Sequence, residues 1–352
     1  MLFHVGALWR LNDAGYLPRL DRVSSVSGGS ITAGVLGLAW PRLAFDDHGV
    51  AQRFGAEVVD PLRRFAARTI DVGSVVRGLF TRGRISDKVV GAYRQHLFGD
   101  HTLQDLPAGR PRFVIHASNL QSGALFRFSQ RYAWDYRVGR ITRPRVLLAT
   151  AVAASSAFPP VLSPLVLRLN HADFDPGTGD DLQRPPFTTT IYLTDGGVYD
   201  NLGLETAQKR YTTVLVSDGG GKMSEQPVPH SDWLRHTRRV LDVIDNQVRS
   251  LRKNELIAAY RRAPEHPDHR DGAYWGIRTN IADYRLPDAL PCPHEQTQRL
   301  ADEPTRLKKL DAVVQQRLIN WGFAVCDAAL RRHVDRTLPR PVDFPYPSAK
   351  VG

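Results

Sequence analysis

Val23-Ser24-Ser25-Val26-Ser27-Gly28-Gly29-Ser30-Ile31 decides how the rest of the chain is read. A short stretch containing β-branched residues runs into Ser27, two glycines follow, and an apolar helical pattern begins at once. This is the layout of a nucleophile elbow, a tight strand-to-helix turn that lifts one serine oxygen into solvent at the positive end of a helix. Glycine is wanted beside the serine because a side chain would clash in so sharp a turn. The usual pattern is G-x-S-x-G; here Ser25 stands at the first glycine position and is small enough to fit. A Ser/Gly-rich helix cap would explain the same residues without any chemistry, so the elbow needs a partner elsewhere in the chain.

That partner is offered by a second segment. Thr188-Thr189-Thr190-Ile191-Tyr192-Leu193-Thr194 reads as a strand ending at Asp195-Gly196-Gly197, with Val198-Tyr199-Asp200-Asn201-Leu202-Gly203 after it. A carboxylate at a strand end, beside glycines that allow close backbone approach, is well placed to reach a nucleophile on a neighbouring strand end. Alone, Asp-Gly-Gly is usually just a turn.

Together the elbow and the Asp-Gly-Gly resemble the patatin-like phospholipase family, whose members use a Ser–Asp dyad with no histidine. The resemblance covers about residues 2–220. Phe113-Val114-Ile115-His116-Ala117-Ser118-Asn119-Leu120 is similar to the family's strand before a polar turn. Ala153-Ala154-Ser155-Ser156-Ala157-Phe158-Pro159-Pro160 is similar to its Ala/Ser-rich stretch before a proline pair, and Asn201-Leu202-Gly203-Leu204-Glu205 follows the Asp-Gly-Gly as it often does there. The resemblance implies a lipid acyl hydrolase of the phospholipase A or lysophospholipase type. Ser27 would be the nucleophile, Asp195 the base, and Gly28 and Gly29 the elbow and oxyanion side. The substrate would be a lipid or fatty-acyl ester, cleaved through an acyl-enzyme without metal or cofactor.

One departure carries an expectation of its own. Family members have a Gly-rich loop before the first helix, whose backbone N–H groups form much of the oxyanion hole. Met1-Leu2-Phe3-His4-Val5-Gly6-Ala7-Leu8 looks like the helix that follows that loop. The first strand and the loop are expected to be missing, which leaves the chain as written weakly active or inactive. The alternative is a non-catalytic lipid-binding or regulatory member of the same fold. An ordinary α/β-hydrolase fits less well: Ser27 comes too early, and neither His230 nor His236 sits in a strand-end loop after the acid.

The 352 residues suffice for a sizeable core. Cys292 and Cys326 make no disulfide framework and lack metal-ligand spacing, so they read as buried thiols in a cytoplasmic, reducing setting. No stretch has the roughly 18 apolar residues of a membrane span. The net charge of +11 suits anionic lipid or nucleic acid, and also follows from Arg-rich coding. With no nucleic-acid module in view, peripheral contact with an anionic membrane is the better expectation and nucleic acid ranks last. Nothing in the pattern bears on oligomeric state. Pro264-Glu265-His266-Pro267-Asp268-His269 reads as a polar loop rather than a metal site. Asp218-Gly219-Gly220-Gly221-Lys222 fails as a phosphate loop, because Val216 stands where the first glycine should be.

Helices are expected from Leu2 to Ala14 and from Ile31 to Trp40, with helices and loops from Phe45 to about Leu103. Arg112–His116 and Ala124–Phe128 read as strands around Gln121-Ser122-Gly123, and Arg145–Ala154 as an apolar helix. Tyr211–Ser217 and Tyr274–Ile277 read as further strands. Leu241, Ile244, Val248 and Leu251 stripe a basic helix, expected to pack on the domain with its charged face in water. Leu307, Leu310, Val314, Leu318 and Trp321 mark a C-terminal helix. Alternation of strands and helices points to an α/β fold, a three-layer α/β/α sandwich with a mainly parallel sheet. The expected organisation is a hydrolase domain over 1–230, a helical and stranded extension over 231–338 packed on it, and an extended Pro-rich tail over 339–352.

Overall fold

The computed structural model describes residues 1–69, 84–221, 223, 225–304 and 308–352. Part of the helical segment expected over Phe45–Leu103, Lys222 of the glycine run and Leu307 of the C-terminal stripe lie outside the described residues.

Helix α1 (Leu2–Asp13) leads into strand β1 (Arg22–Val26) and helix α2 (Gly28–Ala39). Helices α3 (Asp60–Ala66) and α4 (Arg84–Tyr93) follow. Then come strands β2 (Arg112–Asn119), β3 (Leu125–Ser129), β4 (Tyr132–Asp135) and β5 (Gly139–Thr142), and helix α5 (Leu148–Ser155). Strands β6 (Leu165–Arg168) and β7 (Thr190–Asp195) precede two short helices, α6 (Gly197–Asp200) and α7 (Glu205–Gln208). Strand β8 (Thr213–Asp218), helix α8 (Trp233–Arg261), strand β9 (Asp271–Gly276) and helices α9 (His294–Ala301) and α10 (Ala312–His333) complete the order.

The class is α/β, but the main sheet is not mainly parallel. Its order is β5-β4-β3-β2-β7-β6, with β1 beside β2, and among these pairs only β1–β2 is parallel. Strands β4, β5 and β6 overturn the expectation. Only residues 130–131 join β3 to β4 and 136–138 join β4 to β5. A parallel crossover needs about a dozen residues, so such links force antiparallel hairpins. The three-layer picture also fails over this half of the sheet. Phe126, Phe128 and Ile141 face the core, whereas Arg127, Trp134 and Arg140 on the opposite face keep contact with solvent. Strands β8 and β9 form a separate parallel pair.

Helix α10 lies against α1 at very short range. A Cβ on Gly6 would sit 1.9 Å from the Ile319 carbonyl oxygen, and one on Gly322 would sit 1.9 Å from that of Phe3. Two glycines therefore let two backbones touch. Beside them the buried Arg10–Asp327 pair closes at 2.8 Å. The residues after Leu338 are docked rather than loose: Phe344 and Val351 are buried, and Asn320 Nδ2 donates to the carbonyls of Tyr346 and Lys350, each at 2.8 Å.

The expectation for the basic helix is overturned along most of its length. Along the 29 residues of α8, Leu256 is the first buried position among those described, and Leu241, Ile244 and Leu251 are 54%, 54% and 58% exposed. The apolar stripe has the right period, but among the described residues Leu241, Ile244 and Leu251 stay exposed and Val248 is only half-buried.

Candidate active site

One edge of β2 holds β3, and the other is shared. Strand β1 runs parallel against Arg112–His116, while β7 runs antiparallel against Ala117–Asn119. The two strands therefore point at each other, and their carboxyl ends meet where His116 gives way to Ala117. That head-to-head meeting brings the turn at Ser27 and the carboxylate at Asp195 to one place, although they are far apart in the chain.

Ser27 has φ 52° and ψ −127°, a left-handed conformation that costs a non-glycine residue about 1–3 kcal/mol. The conformation is pinned from α5. The Ser27 N–H donates to Ser155 Oγ at 3.1 Å and to the Ser155 carbonyl at 3.2 Å. Ser155 Oγ lies 2.8 Å from Ser30 Oγ, which donates to Ser25 Oγ at 3.0 Å. Serine in place of the first elbow glycine thus joins a buried hydroxyl chain. Gly28 and Gly29 open α2; first-turn N–H groups have no acceptor within their own helix and point toward the elbow.

Asp195 is 3% exposed. Its Oδ1 accepts the Gly197 N–H at 2.7 Å. A Cβ on Gly196 would lie 2.3 Å from the His116 carbonyl oxygen, so the strand end can approach β2 only with glycine there. Burial raises the Asp195 pKa to about 6; the Gly197 N–H and the Ser27 hydroxyl oppose that rise, and Asp245 adds to it. The Ser27 hydroxyl is near enough to stabilise the carboxylate, yet no group among the described residues makes a hydrogen bond of ordinary geometry to Oδ2. One carboxylate oxygen is therefore held and the other is free to take a proton.

Two residues were missed by sequence reasoning. Ser155 belongs to the Ala153–Pro160 segment, but nothing in its spacing singles it out. Besides holding Ser27, its carbonyl accepts the Gly196 N–H at 3.2 Å, and the Ala157 carbonyl accepts the Asp195 N–H at 3.0 Å. The end of α5 ties both strand ends together. Replacing Ser155 with alanine removes the hydroxyl that holds the Ser27 N–H. It is expected to lower kcat about a hundredfold with little change in KM, since misplacement by about 1 Å is enough for that loss. A KM effect with unchanged kcat, measured on any hydrolysed ester, would assign Ser155 to substrate binding instead. The second residue is His4, which sits beside Gly29 and Gly219 with Nδ1 2.8 Å from Ser217 Oγ. Burial, helped by the chain's amino group, lowers its pKa to about 3, so it is neutral at ordinary pH.

Helix α8 borders the site. Asn201 Nδ2 approaches Asp245 Oδ1 at 3.3 Å, Arg252 donates to the Tyr199 carbonyl at 3.2 Å, and Arg249 donates to that of Gly221. The glycine turn after β8 is thus held by an arginine of α8. Next to the site in sequence, Phe158 and Val198 are 54% and 53% exposed. His266 and His269 fall in a polar turn, with His269 Nε2 3.1 Å from Asp271 Oδ1. Among the described residues no group of three or more His, Cys, Asp or Glu side chains is arranged to hold a metal ion, and no helix is long and apolar enough to cross a membrane. Cys292 and Cys326 are free, buried thiols.

An elbow serine near a buried carboxylate on an α/β frame is an arrangement suited to acyl transfer. The chain matches the model of the patatin-like phospholipase family over residues 1–207 and belongs to that family. Membership supports hydrolase activity in lipid metabolism. No curated protein matches the chain.

Proposed function

We propose that the protein is a serine esterase that cleaves fatty-acyl esters of lipids through Ser27 and Asp195. The observation that carries this reading is the convergence of β1 and β7, which sets a strained elbow serine beside a buried carboxylate of raised pKa. Asp195 takes the Ser27 proton as Oγ bonds to the acyl carbon. The Gly28 and Gly29 N–H groups and the positive end of α2 face the developing oxyanion. Collapse breaks the ester C–O bond, and the proton on Asp195 passes to the leaving alcohol. Water then attacks the acyl-enzyme, giving a proton to Asp195 that returns to Ser27 as the fatty acid leaves.

The Met1 backbone nitrogen lies 3.1 Å from where a Gly28 Cβ would be. Residues placed before Met1 would therefore be delivered to the oxyanion side of the elbow. The exposed Phe158 and Val198, and the exposed Leu241 and Ile244 among the arginines of α8, suit a lipid surface bearing negative charge.

One experiment separates catalysis from mere binding. The chain and its Ser27→Ala variant are incubated with anionic phospholipid vesicles, and both flotation and fatty-acid release are measured. Both proteins are expected to float, less so as salt rises, and only the parent to release fatty acid. Flotation without release by either would favour a non-catalytic lipid-binding member. Release by Ser27→Ala would remove Ser27 from the mechanism.

A further inference from the structure

At the opposite end of β1 from Ser27, a small cavity of about 50 Å³ is lined by Arg22, Arg112, Arg131 and Arg210, with Tyr132 and Ala108. None of the four guanidinium groups has a carboxylate within 4.0 Å among the described residues. Arg22 spends Nη1 on the Thr206 carbonyl at 3.2 Å and stacks 5.6 Å from the Tyr211 ring, while its Nε is buried with no partner. Among the described residues the Arg131 side chain donates only to the Ala108 carbonyl, at 3.2 Å. Arg127, on the same face of the sheet, lies over the Trp134 ring at 4.9 Å with its own Nε buried and unpartnered. The carboxylate of Glu205, which bears on Arg127, is tied to Lys209 at 2.6 Å. The positive field is felt nearby: the His116 pKa is lowered to about 3, mainly by burial and in part by Arg127 and Arg22.

Such an arrangement is costly in isolation. Four like charges gather at one cavity, three of them at exposed positions, and the buried Arg22 Nε–H has no acceptor. A tetrahedral oxyanion removes both penalties, because it brings negative charge and several acceptor oxygens in a shape that guanidinium forks match. The cavity has room for one such group and not for an acyl chain. We propose that this pocket is a phosphoryl-binding site, held by Arg22, Arg112, Arg131 and Arg210. It lies about 16 Å along β1 from Ser27, at the far end of the strand, so it is separate from the ester-cleaving site and does not depend on the reading of Ser27.

Phosphoryl groups reach a protein either free or on a lipid headgroup, and the test has an arm for each. The full chain is titrated with inorganic phosphate by calorimetry at fixed ionic strength, and its retention on phosphatidic acid vesicles is compared with that on neutral ones. Both arms are repeated on an Arg112→Gln/Arg131→Gln variant, at two exposed positions that leave the core intact, and on Arg332→Gln/Arg336→Gln, two exposed arginines at the end of α10 and just beyond it. Phosphate binding weakened tenfold or more in the first variant and unchanged in the second supports a site for free phosphoryl ligands. Vesicle retention lost only in the first variant supports a headgroup site. Absence of binding, or equal binding by all three proteins in both arms, overturns the proposal.

Discussion

Asp195→Asn is expected to abolish ester hydrolysis and, at pH 8, to make the fold more stable. The loss of activity follows from removing the group that accepts the Ser27 proton, and general-base catalysis contributes roughly 10²–10⁴-fold. The gain in stability follows from the raised pKa. In the folded chain burial lifts the carboxyl from 3.8 to about 6, so folding is penalised once the carboxylate is ionised. The folded state binds the proton more tightly than the unfolded state, so stability falls as pH rises through this window. The penalty is absent below about pH 4, grows up to about pH 6 and is complete above it, reaching about 3 kcal/mol at 1.36 kcal/mol per unit. Asparagine keeps an acceptor for the Gly197 N–H and carries no charge to bury. Thermal denaturation is therefore expected to show a higher Tm for the variant at pH 8 and a vanishing difference near pH 4. A variant that is inactive but equally destabilised at both pH values would make Asp195 a structural residue. By the same titration, activity of the parent should rise through about pH 6.

The second large effect lies away from the chemistry. Gly6→Val or Gly322→Val is expected to cost about 4 kcal/mol or more, measured by urea unfolding, because either side chain would occupy the space of a backbone carbonyl 1.9 Å away. Separation of α1 from α10 would also disturb Met1 and His4, which rest against Gly28 and Gly29, so activity should fall in whatever fraction stays folded. Gly91→Ala serves as the contrast. It lies within α4 with nothing within 4 Å of its added Cβ, and is expected to stabilise by about 0.5–1 kcal/mol. Similar behaviour of all three variants would mean that the α1–α10 contact is not as close as described.

The elbow was legible because its signal is local: a strand, a strained serine and a helix start within nine residues. Asp195 was legible for the same reason, as a strand-end carboxylate beside two glycines. Their meeting depends on β1 and β7 sharing one edge of β2, which no local pattern encodes. The sheet was misread because β4, β5 and β6 have only four residues each. On β4 and β5 one face is solvated, so alternation is too brief to stand out. Ser155 was invisible for a different reason. Its role lies in hydrogen bonds to Ser27 and Gly196, both distant in sequence. On α8 the periodicity was right, but an apolar stripe does not reveal whether protein covers it.

The most direct test of the Ser27–Asp195 assignment is to treat the purified chain and its Asp195→Asn variant with a fluorophosphonate and map the modified residue by mass spectrometry. Labelling at Ser27 in the parent, strongly reduced in the variant, is the expected result. No labelling at Ser27, or equal labelling in both proteins, would contradict it.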